Sequence, residues 1–509
     1  VKPCLRGAGV LLALCLAVAV QALEPSLLEV LDPAGLSAPE QAMLASAQGI
    51  LNRERARVWL RGGGLHARVM DRVGGGFERR TVPDVWTLME SHRDAWAGFI
   101  VCDARDASLN LATSLAGPRS ALVVDVGLKD RVESMGLKQL FDARGRTNGA
   151  FHRYGGEVRR GVLVHQPPGK SLHLRDLAVA LGAWTDWEPL DPALPELVRA
   201  LGPHPDVFGW GRDEHSFVGA VSRGGGWVLP SDWALNLSAH RWLKDPEPVS
   251  KPREMEWDPP RRGQRVVAFV ISDGDNLQWL LGGFTEAPGF WSSQRRGTVP
   301  VTWEMAPQLR RWAPAADAWL RRTMTPMDAF VGGPSGAGYF FPRFHPDAAG
   351  AARLSAGALA DAGLRVTSVL NDNAGDPGDA SGLLADPRID GVLYKDYAPY
   401  NRRKGAISRH HGKPVITYRF QLWEEKRGDG TMRPDWLPQG VAEAVARMSD
   451  DPVGSDDAYA VVQVHAWSFR SMGGPMEAIH DTVRRLPPET RVVTAPVLVR
   501  WLTRYRARR

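Results

Sequence analysis

The chain has 509 residues, 44% of them hydrophobic and 24% charged, which is room for about two to four domains and for a core that needs neither disulfides nor metals to hold it. Its net charge of +6 is scattered, with small knots only at Arg402-Arg403-Lys404 and at 504–509; a nucleic-acid binder gathers such charge on a stripe, so nucleic acid is set aside as a partner. The cysteines are Cys4, Cys15 and Cys102, two of them in the N-terminal apolar segment, which excludes a disulfide scaffold.

The chain opens with Lys2 and Arg6, an apolar stretch over 8–20, and small residues around Ala22. This is the charged, apolar, small-residue plan of a secretory signal. The apolar run is shorter than the ~20 residues that cross a bilayer. Cleavage after Ala22 is therefore expected, leaving a secreted or periplasmic protein with no stable membrane insertion. Cys15 as a lipoprotein site fits less well, because the apolar run continues past it.

From 23 to 245, short apolar runs alternate with helical stretches. Met43, Leu44, Ala47, Ile50 and Leu51 recur at helical spacing over 39–52, with Ser37 as N-cap. Segments 57–60, 97–102, 121–126 and 161–165 read as buried strands. The alternation predicts a smaller α/β domain or a pair of subdomains. Cys102 closes an apolar run and reads as a buried strand thiol. Residues 246–262, rich in proline and charge, read as a linker.

From 263 to 509 the pattern becomes regular. Strands are expected at 265–271, 299–303, 328–332, 365–370, 390–394, 414–418, 458–465 and 491–498, with amphipathic helices between them, such as 347–362 and 437–448. Eight β/α units in ~250 residues match the size of a (β/α)8 TIM barrel. The expected fold is thus α/β, a C-terminal TIM-like barrel behind an α/β N-terminal region. Periodicity alone leaves an open doubly wound sheet as the alternative.

In such a barrel, function collects behind the C-terminal strand ends. The carboxyls there are Asp273, Asp275, Glu304, Asp372 and Asp396, the candidate catalytic groups. Asn276, Tyr339, Asn371, Lys395, Tyr397, Arg419, His465 and Trp467 stand beside them as candidate substrate contacts. Each has a structural alternative. Asp273-Gly274-Asp275 can be a tight turn that caps the next helix, and Glu304 can sit in a salt bridge to an arginine. His465, Tyr397 and Trp467 can be core or packing residues. Two acids two residues apart can also hold a divalent cation, but the segment lacks the spacing and distal Glu of a calcium loop. No cofactor is expected. The glycines of 332–338 lack a phosphate loop's Gly-Lys-Ser/Thr ending. They suit close backbone approach or positive φ, with Tyr339 presented at the barrel mouth.

The segment Gly336-Ala337-Gly338-Tyr339-Phe340-Phe341-Pro342 resembles the naming motif of the GxGYxYP family of glycoside hydrolases, with Phe341 where the motif has tyrosine. The segments 48–53, 231–238 and 272–279 are similar to that family too, so the resemblance spans most of the mature chain. It implies a barrel-like C-terminal domain, an α/β N-terminal region and a carbohydrate substrate. Glycoside hydrolysis needs two carboxyls flanking the bond, ~5–5.5 Å apart for retention or ~6.5–9.5 Å for inversion. Asp273 or Asp275 with Glu304, on neighbouring strands, is the expected pair. A retaining pair at strands four and seven is disfavoured, because strand seven offers His465 and Trp467. Two alternatives remain: a non-catalytic carbohydrate-binding protein, and a metal-dependent hydrolase or deacetylase using Asp273 and Asp275 with His465.

Overall fold

In the computed structural model, residues 26–73, 76–187, 192–249 and 257–506 are described. The expected signal segment and part of the expected linker lie outside them. Helix Ala38–Leu51 begins at a capping box, in which Ser37 accepts from the Glu40 N–H and the Glu40 side chain returns to the Ser37 N–H. It packs on helix Arg175–Leu181. The approach is close: a Cβ on Gly49 would lie 2.6 Å from the Asp176 carbonyl oxygen. Gln48 on this helix and Asn52 at its C-cap donate to Asn236 Oδ1 at 2.7 Å and Ser238 Oγ at 3.0 Å. Two of the segments that carry the family resemblance therefore lock onto each other in the core and serve structure.

Three small parallel sheets build the N-terminal region. In the first, β1 (Ser26–Leu31) lies between β2 (Val58–Leu60) and β3 (Phe77–Thr81). In the second, β4 (Gly98–Cys102) lies between β5 (Ala121–Asp125) and β6 (Gln139–Asp142). The third contains β7 (Arg159–His165), β8 (Ala183–Asp186), β9 (Asp206–Gly209) and β10 (Trp227–Leu229), in the order β10-β9-β7-β8. Cys102 is buried in β4, and burial pushes its thiol pKa up.

The C-terminal region forms one long sheet. Its strands are β11 (Arg265–Ile271), β12 (Val301–Met305), β13 (Asp328–Gly332), β14 (Val366–Asn371), β15 (Gly391–Asp396), β16 (Ile407–His410), β17 (Lys413–Thr417), β18 (Phe420–Leu422), β19 (Tyr459–Val464) and β20 (Thr490–Val492). The order is β16-β17-β15-β14-β13-β12-β11-β19-β18, with β20 beside β11 and only β16 antiparallel. β17 pairs with β15; after Tyr418 and Arg419 the same segment pairs as β18 with β19. One stretch of chain thus joins both flanks of the sheet, which curls.

The architecture is mixed α/β with a curled, mostly parallel sheet. It differs from the expected eight regular repeats at two places. Residues 491–498 do not form the eighth strand: β20 is three residues long and helix Ala495–Arg506 follows. Pro496 stands in the first turn, where its missing N–H costs nothing, and Leu498, Trp501 and Leu502 are buried at helical spacing. An apolar run of that length reads equally as strand or helix. The short strands β16 and β18 are the second difference.

The apolar core runs across both regions. Trp227 and Leu229 share a buried cluster with Leu277 and Trp279, and Tyr339, Phe341 and Leu370 join the cluster of the N-terminal sheets. Among the described residues, no helix is long and apolar enough to cross a membrane.

Candidate functional site

A cavity of ≈ 320 Å³ opens at the C-terminal ends of β11, β12, β15 and β19. That is near the lower end of the ~300–1,000 Å³ of small-molecule sites. Its floor is built by backbone. Ser272 N–H bonds to Val464 at 3.0 Å and Ala306 N–H to the Gly274 carbonyl at 2.7 Å. A Cβ on Gly274 would fall 1.6 Å from the Glu304 carbonyl oxygen. Only glycine lets the loop after β11 lie on the end of β12, and that contact sets Asp273 and Asp275 beside Glu304. Asp273 itself has φ 68°, a left-handed conformation that aspartate tolerates better than most residues. Asn276 lines the cavity and also caps helix Leu277–Leu281 through the Trp279 N–H at 3.1 Å.

The motif glycines set the wall. Gly336 has φ 125° and packs on Ser355; a Cβ on Gly338 would lie 2.7 Å from the Trp227 ring and 2.9 Å from the Val228 carbonyl. The backbone of Tyr339 can therefore exchange two hydrogen bonds with Val228, at 2.8 and 2.9 Å. This places the Tyr339 ring against the cavity, and its hydroxyl donates to Glu214 Oε1 at 2.8 Å. Phe341 packs on Tyr339, Tyr397 and His215, an apolar setting in which a hydroxyl is not required.

Four carboxyls line the cavity: Glu214, Asp273, Asp275 and Glu304. Asp273 accepts from Trp467 Nε1 at 3.0 Å and from the Ser272 hydroxyl. Glu304 is paired through Oε1 with Lys395 Nζ at 3.3 Å and with the Tyr418 hydroxyl at 3.4 Å. Its salt-bridge partner is thus a lysine, where the sequence suggested an arginine. Its Oε2 is buried with no partner. Asp275 keeps some surface toward the cavity, yet protein surrounds it deeply. Burial, then the charges of Asp273, Glu304 and Glu214, push its pKa well above the usual carboxylate range. Glu214 is raised as well, first by burial, with the Tyr339 hydroxyl opposing and Asp273 adding to the rise.

Aromatic side chains complete the lining. Trp423 stacks on His465 at 4.0 Å and 12°, and the Tyr400 ring tilts against Trp423 at 5.0 Å. Trp210 stacks near Tyr339 at 6.4 Å. Burial keeps His465 below its ordinary pKa, against the pull of Asp273 and with the push of Lys395.

Of the residues expected from sequence, Asp273, Asp275, Asn276, Glu304, Tyr339, Lys395, His465 and Trp467 meet in this cavity. Asp372, Asp396, Asn371, Tyr397 and Arg419 do not line it. Asp372 bonds His215 at 2.7 Å; burial would raise its pKa, but the Ala374 N–H and His215 hold it below the usual range. Asp396 accepts from Tyr394 at 2.9 Å and faces Arg403 at 3.6 Å. Asn371 donates to Asp379, Tyr397 packs between His215 and Tyr400, and Arg419 reaches Asp457. Among the described residues, no three His, Cys, Asp or Glu side chains are arranged to hold a metal ion.

Glu214, Trp210, Tyr400 and Trp423 escaped the sequence reading. Trp210 follows β9 directly and Glu214 opens the helix behind it, but β9 has only four residues and the sequence offered no strand there. Trp423 follows β18, a strand too short to read.

Fold and site define a mixed α/β protein with an acid-rich, aromatic-walled cleft at the ends of a curled parallel sheet. Residues 263–503 match the GxGYxYP putative glycoside hydrolase C-terminal domain, and residues 96–155 match the GxGYxYP_N second domain. The chain belongs to the GxGYxYP family. It is also similar to the crystal structure of a putative hydrolase from Bacteroides thetaiotaomicron VPI-5482, with a TM-score of 0.84 and 25% identity over 94% of this chain and 95% of that one. No curated protein matches the chain.

Proposed function

We propose that the protein is an exported glycoside hydrolase acting by carboxylate acid/base chemistry in this cavity. One observation carries the reading: Asp275 sits deep among three other carboxyls, and burial and then their charges raise its pKa above the usual range, while beside it the Asp273 carboxyl accepts from Trp467 and Ser272 in the same space. Cleaving a glycosidic bond needs one acid that still carries its proton near neutral pH and one that is ionised. Asp275 is assigned as the acid that protonates the leaving oxygen. Asp273 is assigned as the base or nucleophile, in place of Glu304, whose Oε1 is committed to Lys395 and Tyr418. Glu304 and Lys395 fix the field around the pair. The family membership and the hydrolase neighbour support the reaction class, and the charged, apolar, small-residue plan of the N-terminus supports export. The curled sheet, joined across both flanks by residues 413–422, supports a barrel-like scaffold of the expected kind.

The test is a glycan-library screen of wild type and Asp275→Asn, read by product release and by thermal shift. Product from wild type, with a loss of about 10²–10⁴ in the variant, supports the assignment. Shift without product from either protein would point to a binding protein. Activity abolished by a chelator and restored by a divalent ion would point to metal-dependent hydrolysis.

A further inference from the structure

Hydrolysis accounts for two of the carboxyls in the cavity; the others are in excess. Glu214, Asp273, Asp275 and Glu304 face one lysine, Lys395, and that lysine is already paired with Glu304. Among the described residues no arginine lines the space. The Glu304 side chain is 1% exposed and its Oε2 has no partner, although the residue lines the cavity. That oxygen is sealed from the cavity, so Glu214, Asp273 and Asp275, which keep some surface, are the carboxyls an occupant can meet. The walls have matching chemistry, because the faces of Trp210, Tyr339 and Trp423 attract a cation as well as a sugar ring. The like charges crowd enough that Asp275 and Glu214 keep their protons above the usual range, burial being the first cause for both.

We propose that the cavity takes a sugar with a free ammonium group, a hexosamine bearing an unsubstituted amine, seated against Glu214. An ammonium supplies three donors and one positive charge, which answers the surplus of acids. A uronic or sulfated sugar would bring a further negative charge to the same place, and an N-acetyl group would remove the positive one. A divalent cation shares the charge, but no trio of ligands is arranged for it among the described residues. The inference rests on the glycoside-hydrolase reading and names its substrate class.

Calorimetric titration of the wild-type protein tests it without turnover. Glucosamine, galactosamine and mannosamine are each compared with the neutral parent and the N-acetyl derivative, alongside glucuronic acid and magnesium or calcium chloride. The expected result is that at least one amine binds about tenfold or more tighter than its neutral parent, the scale of one charge-assisted hydrogen bond. Glucuronic acid should bind weakest. In Glu214→Gln the ratio of the amine's affinity to that of its neutral parent should fall toward one. Neutral or acidic sugars binding as well as amines, a metal ion binding in place of the amines, or no ligand binding at all would overturn the proposal. Cleavage of neutral glycosides without amine preference would sink this inference and leave hydrolysis standing. Tight amine binding without cleavage of any glycoside would do the reverse.

Discussion

Asp275 is pulled two ways. The chemistry assigned to it needs a proton at neutral pH, and the cost of keeping charge off the site falls on folding. Burial and three neighbouring carboxyls raise its pKa above the value of an unfolded chain. At a pH below the ordinary aspartate range, ~3.9, both states are protonated and the contribution to stability is fully present. As the pH rises toward the folded pKa, the unfolded chain ionises first and that stability is lost. Glu214 is raised and acts with the same sign. Asp275→Asn should therefore lose activity yet melt higher than wild type at pH 7, by about 2 °C for each ~1 kcal/mol relieved. The gap should close as the pH approaches about 4. Melting curves across pH check this; a variant that melts lower than wild type at pH 7 would show that Asp275 is a stabilising anion. The Glu304–Lys395 pair behaves oppositely. Both side chains are nearly sealed from water, so Lys395→Met should cost about 3–5 kcal/mol by stranding the Glu304 charge. Adding Glu304→Gln should restore most of that stability, as read in denaturant melts, without restoring activity.

The loop after β11 shows how an element boundary makes a site. Gly274 lies on the Glu304 carbonyl so closely that a methyl group has no place. Gly274→Ala should destabilise by about 3 kcal/mol or more and cut activity about 10²-fold by moving Asp273 and Asp275. Gly169→Ala, with nothing within 4 Å of the added atom, is the control and should leave both unchanged. Equal behaviour of the two variants in melts and assays would refute the clamp. The same loop marks what the sequence made legible. β11 is a run of seven residues, buried after its first, and the polar group behind it is plain, so Asp273, Asp275 and Asn276 could be read directly. Glu304 at the end of β12 was legible for the same reason. β18 has three residues and β9 four; strands that short carry little periodicity, and Trp423, Trp210 and Glu214 went unread with them. Asp372 and Asp396 follow strand ends as clearly as Asp273 does. Their partners, His215 for one and Tyr394 with Arg403 for the other, are set by tertiary packing that no local pattern reveals.

At the scale of the molecule, the cavity belongs to neither half alone. Trp210, Glu214 and Pro230 come from the N-terminal region and close a space whose acids otherwise lie on the curled sheet. The halves are sewn together by buried backbone: Leu277 N–H bonds to the Pro230 carbonyl at 2.9 Å, and Val228 and Tyr339 bond in both directions. Gly64 N–H meets Glu286 at 2.6 Å, and Arg311 meets Asp206 at 3.2 Å. The N-terminal sheets have three or four strands each, a size that needs packing against other elements to stay folded. Their apolar faces share clusters with the sheet that begins at β11. The proline-rich stretch near 246–262 thus divides the sequence more sharply than it divides the core. It follows that the full chain should unfold in one cooperative transition by calorimetry, with calorimetric and van't Hoff enthalpies in agreement. A fragment from 257 to 509 should expose the apolar surface that Trp227 and Leu229 cover, aggregate, and fail to bind the sugar that the whole protein binds. Two separated transitions, or a soluble fragment that binds with full affinity, would show that the wall bearing Glu214 is dispensable. The surplus of acids would then have to be explained by the curled sheet alone.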